Sequence, residues 1–316
     1  MQWGQIKSLF IICFLILNVF LVKQLYDRQD ENFSFIPEAS KEEELELNIS
    51  GLDSLSDESF SAPLIYAQNF NYNKEAADQL ESLANQEIVV VDDYLLYSRF
   101  TEPMELNFED PELYPEMFNQ MVFNGGSYSY WGKIERANML VFFQQMEHPI
   151  FYNPNALLLI QLNADGEMVH YIQTRLKIVE EEEESQSLIT QYDAVYRLYH
   201  NSNALQAGDS ISHVTLGYHN LVSLPNGEQV LNPTWSIEVN ETDYRFINAV
   251  EGHSYPSNRT FIEDSIGQWI SKVDMASSSD RVVNYRINQE DENDLVEALL
   301  QTLRAIRQNM TEVESE

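Results

Sequence analysis

The sequence predicts an α+β fold: one apolar N-terminal helix, then a domain of antiparallel sheets with helices packed against them. Three observations carry this. Residues 8–22 (SLFIICFLILNVFLV) hold no charge and are bracketed by Lys7 and Lys23. From Phe60 onward, short β-branched and aromatic runs alternate with turn residues, the texture of antiparallel strands. Between and after these runs, apolar residues recur at helical spacing, as in residues 187–201 (Leu188, Tyr192, Val195, Tyr199) and 290–310 (Leu295, Leu299, Leu303, Ile306).

As a helix, residues 3–26 would be roughly 36 Å long at about 1.5 Å per residue. That is enough to cross a hydrocarbon core of about 30 Å, with Trp3 and Tyr26 at the two interfaces. A cleaved signal peptide shares this layout, and a soluble core helix is a third reading. Cleavage needs small residues, however, and residues 23–28 read KQLYDR. The expectation is an uncleaved single-pass anchor: cytoplasmic stub 1–7, transmembrane helix 8–26, and an extracytoplasmic remainder. Asn18 is the polar residue of interest in the run, because an amide in hydrocarbon seeks a partner on another helix. Cys13 reads as a small apolar residue.

Residues 27–59 (DRQDEN, KEEELELN, SLSDES) read as an acidic linker with one short ordered piece at 45–55. An α+β domain is expected over 60–255, in halves 60–184 and 185–255, followed by a C-terminal helical extension, 256–316. In the first half, strand spacing covers 64–70, a helix capped by Asn73 covers 73–85, and a strand interrupted at Asp92-Asp93 covers 87–100. A short helix is expected over 111–122, and strands over 128–134, 139–146 and 157–162. Asn163-Ala164-Asp165-Gly166 turns the chain into a return strand, 168–179, and Glu180–Glu184 is a solvated charge run. The second half opens with the 187–201 helix. A hairpin of 211–224 and 229–231 follows around Pro225-Asn226-Gly227. A second hairpin joins 235–239 to 244–250 through residues 240–242. In the extension, 261–273 and 290–310 read as helices, 276–280 as a Ser-rich linker and 282–287 as a short strand.

Of the 316 residues 44% are hydrophobic and 12% aromatic, enough for a substantial core. Lys plus Arg total 18 against 51 Asp plus Glu, a net charge of −33. That excludes nucleic-acid binding, which needs a basic surface, and disfavours docking of the domain on anionic lipid. Cys13 is the only cysteine, so no intrachain disulfide or cysteine-based metal site exists. The histidines (His148, His170, His200, His213, His219, His253) show neither H-x₃-H nor H-E-x-x-H spacing. His213 and His219 share one strand face and read as polar positions, and Asp92 and Asp93 in a strand point to opposite faces. No nucleophile elbow, phosphate loop or dinucleotide fingerprint occurs. The residues thus lead to a non-enzymatic anchored domain with no catalytic, cofactor or metal site, working by contact with another protein or the envelope.

Three stretches resemble the YycI (WalI) family, membrane-anchored regulators of the essential cell-wall two-component system of low-GC Gram-positive bacteria. Trp3, Ile6-Lys7 and residues 10–21 (FIICFLILNVFL) look like its anchor. Leu162-Asn163-Ala164-Asp165-Gly166-Glu167 with Tyr171 and Gln173-Thr174 resembles its central hairpin. The most specific run holds Ala194-Val195, Leu198-Tyr199, Val214-Thr215-Leu216-Gly217-Tyr218, Pro233-Thr234-Trp235-Ser236-Ile237 and Ile247-Asn248-Ala249-Val250-Glu251-Gly252. The resemblance spans residues 1–255 and says nothing of 256–316. It implies a partner related to YycH and regulation of the sensor histidine kinase YycG/WalK through transmembrane and ectodomain contacts. Phe10, Phe14, Leu17, Asn18 and Leu21 are the residues expected to make the in-membrane contacts. The alternative is a membrane-tethered envelope enzyme or cell-wall-binding module.

Overall fold

The structure, a computed structural model, describes residues 3–31, 38–106, 118, 121–181, 184–224, 227–256, 259–277, 281–285 and 292–311. Helices α1 (Trp3–Glu31) and α2 (Glu38–Asn48) come first. Strands β1 (Ser61–Ala62) and β2 (Ile65–Asn69) lead into two short helices, α3 (Tyr72–Glu75) and α4 (Ala77–Ser82). Next come β3 (Gln86–Val91), β4 (Leu95–Met104), β5 (Tyr128–Ile134), β6 (Met139–Gln144), β7 (Ile150–Phe151) and β8 (Leu157–Leu162). After β9 (Met168–Thr174), β10 (Leu176–Glu181) and β11 (Gln186–Ser187), helix α5 (Gln191–His200) precedes β12 (Ile211–Ser223), β13 (Gln229–Val239) and β14 (Asp243–Asn248). Helix α6 (Phe261–Ala276), β15 (Val282–Tyr285) and α7 (Glu292–Thr311) follow.

The class is mixed α+β, with antiparallel sheets and several helices. The larger sheet is fully antiparallel in the order β15-β3-β4-β9-β8-β6-β5. Both of its faces are apolar, because strands such as Ile88-Val89-Val90-Val91 are apolar at every position and successive side chains alternate between faces. Ile88, Val90, Leu96, Phe142 and Leu158 pack under Tyr72, Ala76 and Leu80 of α3 and α4 and under Phe118 and Val122. On the opposite face Val89, Val91, Tyr97, Val141 and Leu159 pack under Trp269 and Val273 of α6 and Leu295, Leu299, Leu303 and Ile306 of α7.

The second sheet has the order β10-β2-β13-β12-β7, with β14 also paired to β13. β13 organises it: residues 229–231 pair with β2, the whole strand with β12, and residues 234–239 with β14. α5 covers this sheet with Ala194, Val195 and Leu198, and Thr190 caps the helix by accepting from the Asp193 N–H at 3.0 Å.

Several local expectations resolve differently in the structure. The 73–85 helix is two helices, capped by Asn71 rather than Asn73 and broken where Ala76 leaves helical geometry (φ −137°). Asp92 and Asp93 are the corner of a hairpin, both left-handed (φ 58° and 67°), as a type I′ turn requires. The expected return strand 168–179 divides at Arg175, with β9 in one sheet and β10 in the other. Leu45 and Ile49, from the stretch expected to be a linker, are buried beside α5 and β13. Most of the expected 111–122 helix, the hairpin tip at Pro225-Asn226 and most of the 276–280 linker lie outside the described residues.

Residues 261–306 bury Phe261, Ile266, Trp269, Val273, Leu295, Leu299, Leu303 and Ile306 at 4% exposure or less. Each such side chain contributes about 1.5–3 kcal/mol, so together they outweigh a typical net stability of about 5–15 kcal/mol. A chain ending at residue 255 will therefore lack a cooperative urea transition, and Trp269→Ala will cost about 3–5 kcal/mol. An unchanged unfolding midpoint in the shortened chain would refute this account. At Gly217, an added Cβ would lie 2.2 Å from Phe151 Cε2 and 2.6 Å from the Pro149 carbonyl, where β7 meets β12. Gly217→Ala will destabilise by at least about 1–3 kcal/mol in the same assay.

Candidate functional site

α1 is the first candidate surface. At about 100° per residue, Phe10, Phe14, Leu17, Asn18 and Leu21 fall on one face of it. All five are exposed: Phe10 by 75%, Phe14 by 64%, and Leu17 and Leu21 by 51%. Phe10, Phe14 and Asn18 line a shallow groove with Ile11 and Leu15. The Asn18 amide donates to the Phe14 carbonyl at 2.9 Å, one turn back. One of its N–H groups is thus used within the helix, which leaves the second N–H and the Oδ1 acceptor toward a neighbour. Among the described residues, no helix is long and apolar enough to cross a membrane; the described side chains of α1 are Lys7 and the stretch 10–23.

The second candidate is a cleft of 490 Å³ where the edge of the larger sheet meets β14 and the C-terminal helices. Trp131 of β5 forms its wall, with ring centroids 4.3 Å from Tyr244, 4.9 Å from Phe143 and 5.9 Å from Tyr152. Tyr152 stands edge-on to Phe246 and Phe261 at 4.9 and 5.0 Å. Asp243, Arg245 and Arg259 edge the opening, with Asp243 Oδ2 3.5 Å from Arg245 and 3.6 Å from Arg259. Sequence reading missed this site, because its walls come from six separated segments. The aromatic density at Tyr128-Ser129-Tyr130-Trp131, beyond strand needs, was the available signal.

Among the described residues no cluster of three His, Cys, Asp or Glu side chains is placed to hold a metal ion. His213 lies exposed opposite Glu238, whereas His219, six residues along β12, stacks on Tyr255 with centroids 4.2 Å apart.

With this geometry in hand, residues 35–250 match the protein family described as YycI protein. The chain belongs to the YycI family. No curated protein matches it. Among solved structures, an uncharacterized protein from Eubacterium rectale ATCC 33656 is 10% identical with a TM-score of 0.42, over 66% of this chain and 89% of that one. YycH from Bacillus subtilis is 12% identical with a TM-score of 0.35, over 62% of this chain and 56% of that one.

The YycI motifs have structural explanations. Trp235 is buried, donates from Nε1 to the Ile189 carbonyl at 2.9 Å, and stands edge-on to Phe60. Asn248 Oδ1 accepts from the Val250 and Glu251 N–H groups at 2.8 Å each, and Gly252 continues the turn at φ 75°. Asn163 Oδ1 does the same for Asp165 and Glu167 at the β8–β9 turn, where Gly166 adopts φ 83°. These residues build corners of the domain. None of them lines the aromatic cleft.

One histidine lies in the larger sheet. His170 of β9 lies opposite Arg99 with its ring 5.5 Å from Tyr97, and its enclosed Nε2 has no hydrogen-bond partner among the described residues. Burial, reinforced by Arg99, lowers its pKa from 6.5 to about 4. Between these values the unfolded chain takes up a proton that the folded chain resists, so stability is complete above pH 6.5 and falls toward pH 4. The full shift would correspond to about 3 kcal/mol. The ring is part-exposed, so solvent screening brings the expected loss to about 2 kcal/mol. Urea unfolding across this window should show wild type losing that much more than His170→Gln; parallel curves would refute it.

Proposed function

We propose that this chain is a non-enzymatic, membrane-anchored regulator of a cell-wall-controlling two-component system. It would act with a YycH-like protein on the sensor histidine kinase YycG/WalK. Membership of the YycI family over residues 35–250 carries the reading. The uncharged run of residues 8–22 supports the anchor, within a helix that continues to Glu31. In this arrangement residues 1–7 face the cytoplasm and the acidic domain lies outside.

The regulatory step is then a coupling free energy. Helix contacts that favour one kinase state by about 1–3 kcal/mol shift its activity about 5- to 150-fold. The exposed face of Phe10, Phe14, Leu17, Asn18 and Leu21 is the surface for that contact. With one N–H bonded to Phe14, Asn18 contributes through its second N–H or its Oδ1 to a group on the partner helix. An interhelical bond of this kind contributes about 0.6–2 kcal/mol, or about 3- to 30-fold in association.

The test is a photo-crosslinking residue at position 17 in the full chain in cells, followed by identification of the trapped partner. The expected adduct is the sensor kinase, with a yield that falls at least about threefold in Asn18→Leu. A wall polymer or no adduct in place of the kinase, or an equal yield with and without Asn18, would overturn the reading.

A further inference from the structure

We infer that the cleft walled by Trp131, Tyr152 and Tyr244 binds a small ligand with a flat ring body and one anionic group, a carboxylate, sulfonate or phosphate. The inference concerns the ectodomain and stands apart from the kinase-regulation reading.

Size and shape come first. At 490 Å³ the cleft lies in the usual range for small-molecule sites, and it sits where two sheets meet. Trp131, Tyr244, Phe143 and Phe246 give aromatic faces and edges for a planar body to stack on.

Charge selects the sign of the ligand. Lysine and arginine are scarce in this chain, 18 against 51 acids, yet Lys133, Arg245 and Arg259 all line this cleft and Asp243 is the single acid among the lining residues. Arg245 spends its guanidinium on the Ala204 and Tyr244 carbonyls, and Lys133 pairs with Glu135 at 2.8 Å. Arg259 meets only the edge of Asp243, at 3.6 Å, and its side chain is 78% exposed. Among the described lining residues it is the cation best able to turn onto a ligand. An aromatic cage of this kind would otherwise suit a quaternary ammonium, but the surplus of guanidinium at its rim repels one.

Two further features point the same way. Tyr152 holds a left-handed backbone conformation (φ 46°), uncommon for an aromatic residue and of the kind found at ligand clamps. Tyr152 and Trp131 line the cleft and carry an O–H and an N–H, donors that suit an anionic group. Moreover, Arg259, Phe261, Ile262 and Met310 on the cleft wall lie beyond residue 250, where the family match ends. The aromatic wall thus belongs to the matched region, and the C-terminal layers complete the cleft and bring Arg259 to its rim.

The test is calorimetric titration of the full chain in detergent, blanked against detergent buffer, with 2-naphthoate, its neutral analogue 2-naphthylmethanol and the cation 2-naphthylmethylammonium. Saturable binding of 2-naphthoate at one site per chain is expected, at least about tenfold tighter than either analogue. Arg259→Gln, at an exposed position that leaves the fold intact, should weaken naphthoate about tenfold and leave naphthylmethanol unchanged. Trp131→Leu should weaken both. The proposal fails if naphthoate gives no saturable heat, if the cation binds as well as the anion, or if Arg259→Gln binds naphthoate as wild type does.

Discussion

The structure depends on one constraint: the larger sheet is apolar on both faces. Ile88, Val89, Val90 and Val91 are each fully buried although they alternate between opposite sides. An antiparallel sheet usually leaves one face to water and reads as alternating apolar and polar residues. This one needs two covering layers. α3, α4, Phe118 and Val122 supply one, and α6 and α7 supply the other. The C-terminal layer is therefore part of the domain, and β15 extends the same sheet by pairing with β3.

The second sheet is joined to the first by chain and by buried amides. The strands of residues 168–181 leave one sheet and enter the other across Arg175. Gln144, in β6, donates to the Leu176 carbonyl at 2.8 Å and accepts the Leu176 N–H at 2.7 Å, so one side chain completes the backbone pairing of β10. Asn153 bonds to Gln229 at 2.7 Å across the same junction. An unpaired buried amide costs about 1–3 kcal/mol, so sliding one sheet past the other is opposed by polar groups as well as by packing. The aromatic cleft opens at a different edge of this joint, where Trp131 meets Tyr244 and no such amide fills the gap.

Much of the local structure was legible in the sequence. Helical texture and apolar period located α5, α6 and α7 to within a few residues, and turn chemistry located the Asn163–Gly166 and Asn240–Thr242 corners. What was not legible is non-local. Nothing near residues 65–69 announces that β2 pairs with β13, more than 150 positions later. Leu45 and Ile49 look like isolated apolar residues in an acidic stretch until α5 and β13 are placed beside them. The exposed face of α1 could be drawn from helical periodicity, whereas the bond from Asn18 back to Phe14 required a side-chain conformation. The cleft was invisible because six segments, each ordinary alone, meet there.

The charge of the chain sharpens the meaning of that cleft. At −33 the protein repels anions at long range. In salt near 0.15 M, however, fields decay over about 8 Å, so a ligand inside the cleft responds to Arg259, Arg245 and Asp243 rather than to distant glutamates. Added salt would then screen the global repulsion more than the enclosed contact, and anion binding would not show the steep loss with salt seen on open basic surfaces. A cation would gain from the global field only until it met the rim, where two guanidiniums share one carboxylate. Local geometry and net charge thus oppose each other at this one place. Discrimination by charge there falls to Arg259 at the rim, while the aromatic walls hold the ring body whatever its charge.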